Sequence, residues 1–276
     1  FFKQKTAYEI STRDWSSDVC SSDLHYFGTG LVSTPDNLGL SGSRPTHPEL
    51  LELLAARLAD GWDMKALHRD ILLSATFRQA SAPRDDALRV DPSNRLLWRS
   101  PMRRLDAESI RDGMLAAAGV LEAKASGPYV PTPRAADGEV APDEARPGGL
   151  ARTVFLQSRR TQVPTFLGTF DAPSIVFTCT RRATTTMPLQ SLAQLNSEFC
   201  VRRGRDMARS LAVEHPDAGR RLASAFVRAF GRPPTPEERA AADSFLERQA
   251  MVRGGDGAWE DLCQSLLASN GFLYLE

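Results

Sequence analysis

The feature that most limits what this chain can fold into is a recurrent apolar stripe, with residues three and four apart, opened and closed by helix caps. Thr46 and Glu49 have capping-box spacing, which lets the hydroxyl accept from the backbone near Glu49 while the carboxylate reaches back. Leu50, Leu53, Leu54 and Leu58 follow as one stripe, and Gly61 stops it. Asp63 caps a second helix in which Met64, Leu67, Ile71 and Ala75 share a face, running to about Gln79 before Pro83. So short a link predicts an antiparallel helical hairpin. From about Asp106 a third helix aligns Ile110, Met114, Ala117 and Leu121. Arg103 and Arg104 stand just ahead of it, where cations oppose the helix dipole unless they face a partner such as a carboxylate. Pro188 suits the first turn of another helix, with Leu189, Leu192 and Phe199 on one face. Leu222, Ala225, Phe226, Ala229 and Phe230 form an amphipathic helix ended by Gly231, and Thr235 to Glu238 is a second capping box. The last helix carries Trp259, Leu262, Cys263, Leu266 and Leu267, with Asn270 and Gly271 as its C-cap.

The expected class is therefore mainly α, a helical domain with a small β-hairpin or short sheet. The strands of that sheet are expected at Arg152 to Arg160, where apolar residues alternate, and at the β-branched run Ile175 to Thr178. Four stretches organise the chain: a helical part at 25–125, a flexible Gly/Pro/Ala-rich excursion at 126–150, short strands and a helix at 151–200, and a helical part at 201–276. Residues 25–276 read as one composite domain.

Residues 1–24 have no helical or alternating period, and Ser and Asp crowd their second half. FFKQKTAYE and RDWSSDVCSSDL match in-frame translations of the constant parts of a common short-read library primer, with Ile10 to Arg13 where the sample index falls. The segment is read as an adapter without a fold and set aside, so the coding sequence proper is expected to begin at about His25, inside a longer protein. This removes Lys3, Lys5 and Arg13 together with Glu9, Asp14, Asp18 and Asp23, and leaves the charge nearly balanced. The whole chain holds 34 basic and 34 acidic residues, so no global field draws it to nucleic acid or an anionic membrane. No apolar run approaches the roughly 18 to 20 residues of a membrane span. Outside the adapter the cysteines are Cys179, Cys200 and Cys263, widely spaced and without CxxC, which does not indicate a disulfide framework.

Catalytic motifs are missing from the sequence. His25, His47, His68 and His215 stand alone, with no HxH or HExxH spacing and therefore no metal site. GxGxxG, the phosphate-loop pattern and GxSxG are all lacking. The richest constellation brackets a short segment with Arg159, Arg160, Arg181 and Arg182, and adds Asp171, Cys179, Gln190 and Asn196. Brought together, the forked guanidiniums would bind carboxylate, phosphate or sugar oxygens. Alternatively, they neutralise Asp171 and other acids and staple strand to helix, since buried charge is usually paired. Cys179 lacks an identifiable base.

The segments FGTGLVSTPDNLGLSGSRPTHPELLELLAARL, GWDMKALHRDILLSATFRQAS, RRLDAESIRDGMLAAAG, FDAPSIVFTCTRRATTTMPLQSLAQLN and LLASNGFLYLE resemble the C-terminal domain of unknown function of large planctomycete-type proteins, many of which carry a cytochrome-c-like domain. The resemblance spans nearly all of residues 25–276. It implies an exported, extracytoplasmic protein with haem c in a part preceding this one, and partners among the other domains of that protein, a carbohydrate or another protein. It supplies no catalytic residues. Asn37 and Gly271 stand where the family usually has acidic residues. Three functions are weighed: a noncatalytic scaffold or interaction module, which ranks first, an enzyme or binding site for an anionic or carbohydrate ligand around the Arg pairs and Asp171, and, last, nucleic-acid binding, which the balanced charge disfavours.

Overall fold

A computed structural model describes residues 19, 21–37, 41–123, 127–176, 179 and 181–275. They are mainly helical, and they divide into two compact units, one formed by residues 1–103 and the other by residues 104–275. Among the described residues no helix is long and apolar enough to cross a membrane.

In the first unit α1 (Pro48–Ala59) buries Leu51, Leu54, Ala55 and Leu58, and α2 (Met64–Leu73) buries Leu67 and Ile71. The cap of α2 is as expected, with Asp63 accepting from the Ala66 N–H at 3.0 Å. That of α1 is not: His47 is the cap residue, and the Thr46 hydroxyl turns to the Leu31 carbonyl and the His47 ring instead. Pro48 explains the shift, because its ring presets the first helical position and moves the start one residue on. The buried stripe rotates with it, so that Leu50 and Leu53 are exposed. Helix α2 stops at Leu73, where Ser74 turns extended, short of the expected Gln79. Asp85 and Asp86 open the short helix α3 (Asp85–Val90), at the end where the helix dipole favours carboxylates.

Residues 21–27 are also helical, and Val19 lies fully inside the same core as Leu31, Leu54 and Leu58. The described part of the segment set aside by sequence is thus drawn into this unit. Asp23 accepts from the Leu31 N–H at 2.7 Å through one oxygen, while its other oxygen is buried without a partner. Burial therefore raises its pKa from the ordinary 3.8 to about 6. A carboxyl raised in the folded state stabilises fully below its unfolded value, and that contribution is lost as pH rises through the folded one. The first unit should thus lose stability between pH 3.8 and about 6. Asp23→Asn should flatten this slope in melting curves taken across that window, and an unchanged slope would refute the assignment.

The second unit builds its core from α4 (Ala107–Ala117), α5 (Thr165–Thr169), α6 (Pro188–Asn196), α7 (Glu198–Glu214), α8 (Ala218–Phe230), α9 (Pro236–Leu267) and α10 (Asn270–Leu273). Ile110, Met114, Phe170, Met207, Leu211, Leu222 and Leu267 are among its most completely enclosed side chains. Gly231 ends α8 at φ 70°, and Thr235 and Glu238 form the expected capping box of α9. The two helices expected at the C-terminus run end to end in α9, broken at Gly254 (φ 74°, ψ 171°). Asn270 and Gly271 do not cap α9 but begin α10, and a Cβ at Gly271 would lie 3.1 Å from the Phe230 ring.

The sheet is two-stranded, β1 (Arg103–Arg104) with β2 (Tyr274–Leu275), so neither predicted strand contributes to it. Thr153–Phe155 forms a 3₁₀ turn, leaving only isolated bridges such as Val130 with Leu156. Ile175 and Val176 are exposed turn residues, and the rest of that predicted strand lies outside the described residues. Residues 127–150 contain no helix, yet Val130, Thr132 and Val140 are buried. Finally, α6 is rotated from the expectation: it buries Gln190 and Gln194 and exposes Leu189, Leu192 and Leu195.

Candidate functional site

Two of the eight residues singled out from sequence, Asp171 and Gln190, meet around an arginine that was not among them. Where the chain leaves α5, the buried Phe170 anchors it and Asp171 follows in the left-handed region at φ 65°. Asp and Asn tolerate that region better than most residues. This conformation aims the carboxylate at the segment leading into α6. One oxygen accepts from the Thr185 hydroxyl at 2.7 Å. The other accepts from the Thr185 N–H at 2.9 Å, from Gln190 Nε2 at 3.3 Å and from Arg104 Nη2 at 2.6 Å.

Arg104, in β1 just before α4, sends its guanidinium into this cluster with only 3% of its side chain exposed, against 19% for Asp171. Nη1 donates to the Thr185 carbonyl at 2.6 Å and to Gln190 Oε1 at 2.9 Å, and Nη2 also donates to the Phe170 carbonyl at 3.1 Å. Its Nε is buried without a partner. Gln190 completes the set by donating to the Thr169 carbonyl at 3.1 Å and accepting from the Met187 N–H at 3.4 Å, which caps α6. Burial acts to raise the Asp171 pKa, but the hydrogen bonds from Thr185 and Arg104 outweigh it and hold the carboxyl below the usual range.

The other candidates are elsewhere. Arg182 donates to Glu108 at 2.6 Å and lies 3.7 Å from Asp106, and the Glu108 bond raises its pKa. It lines a cleft of ≈ 420 Å³ with Asp106, Glu108, Asp112, Arg152 and Gln157. In that cleft Asp112 is held by the Thr153 N–H and hydroxyl at 2.7 and 2.6 Å. Arg159, Arg160, Arg181 and Asn196 are exposed and do not join the Asp171 cluster. Arg159 instead lines a separate cleft with Asp143 and Arg146. Cys179 is exposed, and its thiol donates to the Arg181 carbonyl at 3.3 Å.

Three residues at the centre of the buried polar structure were missed as site residues. Arg104 carried a signal, a cation placed against the helix dipole that needed a carboxylate, and Asp171 is that carboxylate. Arg111 and Arg203 carried none, because arginines at helical spacing read as a solvated face. Arg111 donates to the Ala151 carbonyl at 2.9 Å and the Gly149 carbonyl at 3.2 Å, and Arg203 forks onto Glu144 at 2.9 and 3.3 Å. Both guanidiniums lie over the Phe199 ring, at 5.8 and 5.2 Å from its centre. Among the described residues no group of three His, Cys, Asp or Glu side chains is placed to hold a metal ion.

No curated protein and no solved structure matches this chain. Residues 24–246, most of its length, match the family described as PSD1: Protein of unknown function (DUF1553), and the chain belongs to that family.

Proposed function

We propose that this chain is a noncatalytic helical module of a larger exported protein, with a scaffolding or interaction role toward that protein's other domains. One observation carries the reading: the groups that would form a ligand site are spent on each other or dispersed. Both oxygens of Asp171, both terminal nitrogens of Arg104 and both ends of Gln190 are occupied within the cluster. A binding site needs convergent polar groups with unused donors or acceptors facing a concavity. Here they face one another, so the cluster acts as a clamp between the start of α4, the end of α5 and the start of α6.

The second reading, a site for an anionic or carbohydrate ligand, is favoured at one place, the cleft that holds Arg182 and Arg152. A ligand that binds only the folded chain raises its melting temperature. Melting curves with phosphate, sulfate, a uronic acid and neutral oligosaccharides should show no rise at millimolar concentration. A rise that Arg182→Gln abolishes would overturn the noncatalytic reading in favour of the second. Haem c and an export signal belong, on this proposal, to coding sequence upstream of the codon for His25. Recovering that DNA tests the point: a CxxCH motif behind an export signal supports it, and genomic codons for Phe1 to Leu24 contradict the adapter expectation.

A further inference from the structure

Residues 139–149 cross the second unit as a strap that contains no helix. At one end Val140 is pinned to α5: its N–H donates to Thr165 Oγ1 and its carbonyl accepts from the Thr165 N–H, both at 2.9 Å. At the other end the Gly148 N–H donates to Glu122 at 2.6 Å, and the Gly149 carbonyl accepts from Arg111 at 3.2 Å. Between these pins, among the described residues, the hydrogen bonds that 141–147 make beyond the segment 127–150 are those of Glu144. Its carboxylate accepts from Arg203 in α7 at 2.9 and 3.3 Å, with Arg202 at 3.5 Å. One side chain thus latches the strap. The fit is incomplete, because Arg203 is only 2% exposed and its Nε stays buried without a partner.

Strap residues Val140, Pro142 and Glu144 line a cavity of ≈ 200 Å³ together with apolar Phe166, Leu167 and Phe199 and the cations Arg111 and Arg202. A cavity of about 150 Å³ already takes a benzene ring, so this one has room for a ring with a substituent. Of the other carboxylates in the lining, Glu198 pairs with Arg202 and Asp143 with Arg146. Glu139 opposes an anion and limits its affinity.

We propose that this cavity takes an aromatic carboxylate and that Glu144 is its internal competitor: the ligand displaces Glu144 from the arginines and releases the strap. The occupant is read from the molecule itself, since Arg202 and Arg203 already hold a carboxylate and the space beside it has apolar, aromatic walls. A carboxylate on a guanidinium fork is the strong form of this contact, and burial of the ring adds to it. Phosphate, sulfate and a uronic acid lack the apolar ring, so their failure to bind the wild type, expected above, is expected here too. Release of the strap makes the surface of the module responsive to a small acid, which goes beyond a fixed scaffold.

Melting curves of the full chain and of Glu144→Ala, each titrated with benzoate, acetate and benzamide, test this. In Glu144→Ala benzoate should raise the melting temperature, and acetate should need at least about tenfold more for the same rise, because it buries no ring. Benzamide, a neutral isostere, should also need at least about tenfold more. The wild type should follow the same order but require at least about tenfold more benzoate than the variant, since the tethered Glu144 competes at high effective concentration. Glu144→Gln removes the charge but keeps the size of the side chain, and serves in place of the alanine variant if that one does not fold. Acetate as effective as benzoate would mean a vacated ion pair that any small carboxylate fills, and benzamide as effective would remove the arginines from the account. Either result overturns the proposal, as does a wild type that responds to benzoate as readily as the variant, or a folded variant that does not respond.

Discussion

Asp171→Ala lowers the stability of the second unit by about 3 kcal/mol, the lower end of the range for removing one partner of a buried ion pair. The substitution leaves Arg104, almost fully enclosed, with no carboxylate against its guanidinium. It also removes the acceptor for the Thr185 N–H and hydroxyl. The effect stays at the lower end because Arg104 keeps the Thr185 and Phe170 carbonyls and Gln190 Oε1, and because Asp171 itself is partly solvated. Asp171→Asn should cost less: it tolerates φ 65°, and its side-chain carbonyl still accepts. Denaturant unfolding with hydrogen exchange of the α4 and α6 amides measures both. Equal losses for the two variants would mean that the charge, which both remove, outweighs the backbone strain and the acceptor that Asn retains.

Gly204→Ala should destabilise the chain by about 1–3 kcal/mol, the usual range for overpacking. Helix propensity alone predicts the opposite sign, since alanine is favoured over glycine inside a helix by about 1 kcal/mol. Packing wins here because a Cβ at Gly204 in α7 would stand 2.8 Å from Gln264 Cβ and 3.0 Å from Gln264 Cα and N in α9. Two of those three atoms are backbone and cannot swing aside. Gly219, in the first turn of α8, is the control, because its nearest neighbours are side-chain ends at 3.4 and 3.7 Å. Gly219→Ala should therefore be neutral or slightly stabilising in the same melting assay. A stabilising Gly204→Ala would mean that α7 and α9 are not packed this closely.

What the sequence made legible was local chemistry. Gly231 as a left-handed stop, the Thr235 and Glu238 capping box and Asp63 as a cap all depend on neighbouring residues, and all three stand as read. The mainly α class follows from the same signals. What was not legible depends on contacts distant in sequence. Leucine spacing in α6 named the wrong face because Arg104, about eighty residues earlier, requires Gln190 inside. Alternation near Val154 suggested a strand, yet Thr153 is tied to Asp112 and the backbone tightens into a 3₁₀ turn.

The candidate site shows the same division. Asp171 and Gln190 do meet. Their arginine is Arg104, however, while Arg159, Arg160 and Arg181 are exposed and Arg182 serves Glu108. Proximity in sequence selected the wrong partners, since a buried carboxylate takes whichever cation the fold delivers to it.

The measurement closest to the central claim is a double-mutant cycle on Arg104 and Asp171, with Arg104→Met, Asp171→Asn and the double variant unfolded in denaturant. A clamp between these side chains predicts a coupling energy of about 0.5–3 kcal/mol, with the double variant less destabilised than the sum of the singles. Losses that add to within about 0.5 kcal/mol would contradict the clamp and return both residues to the list of groups free to bind a ligand.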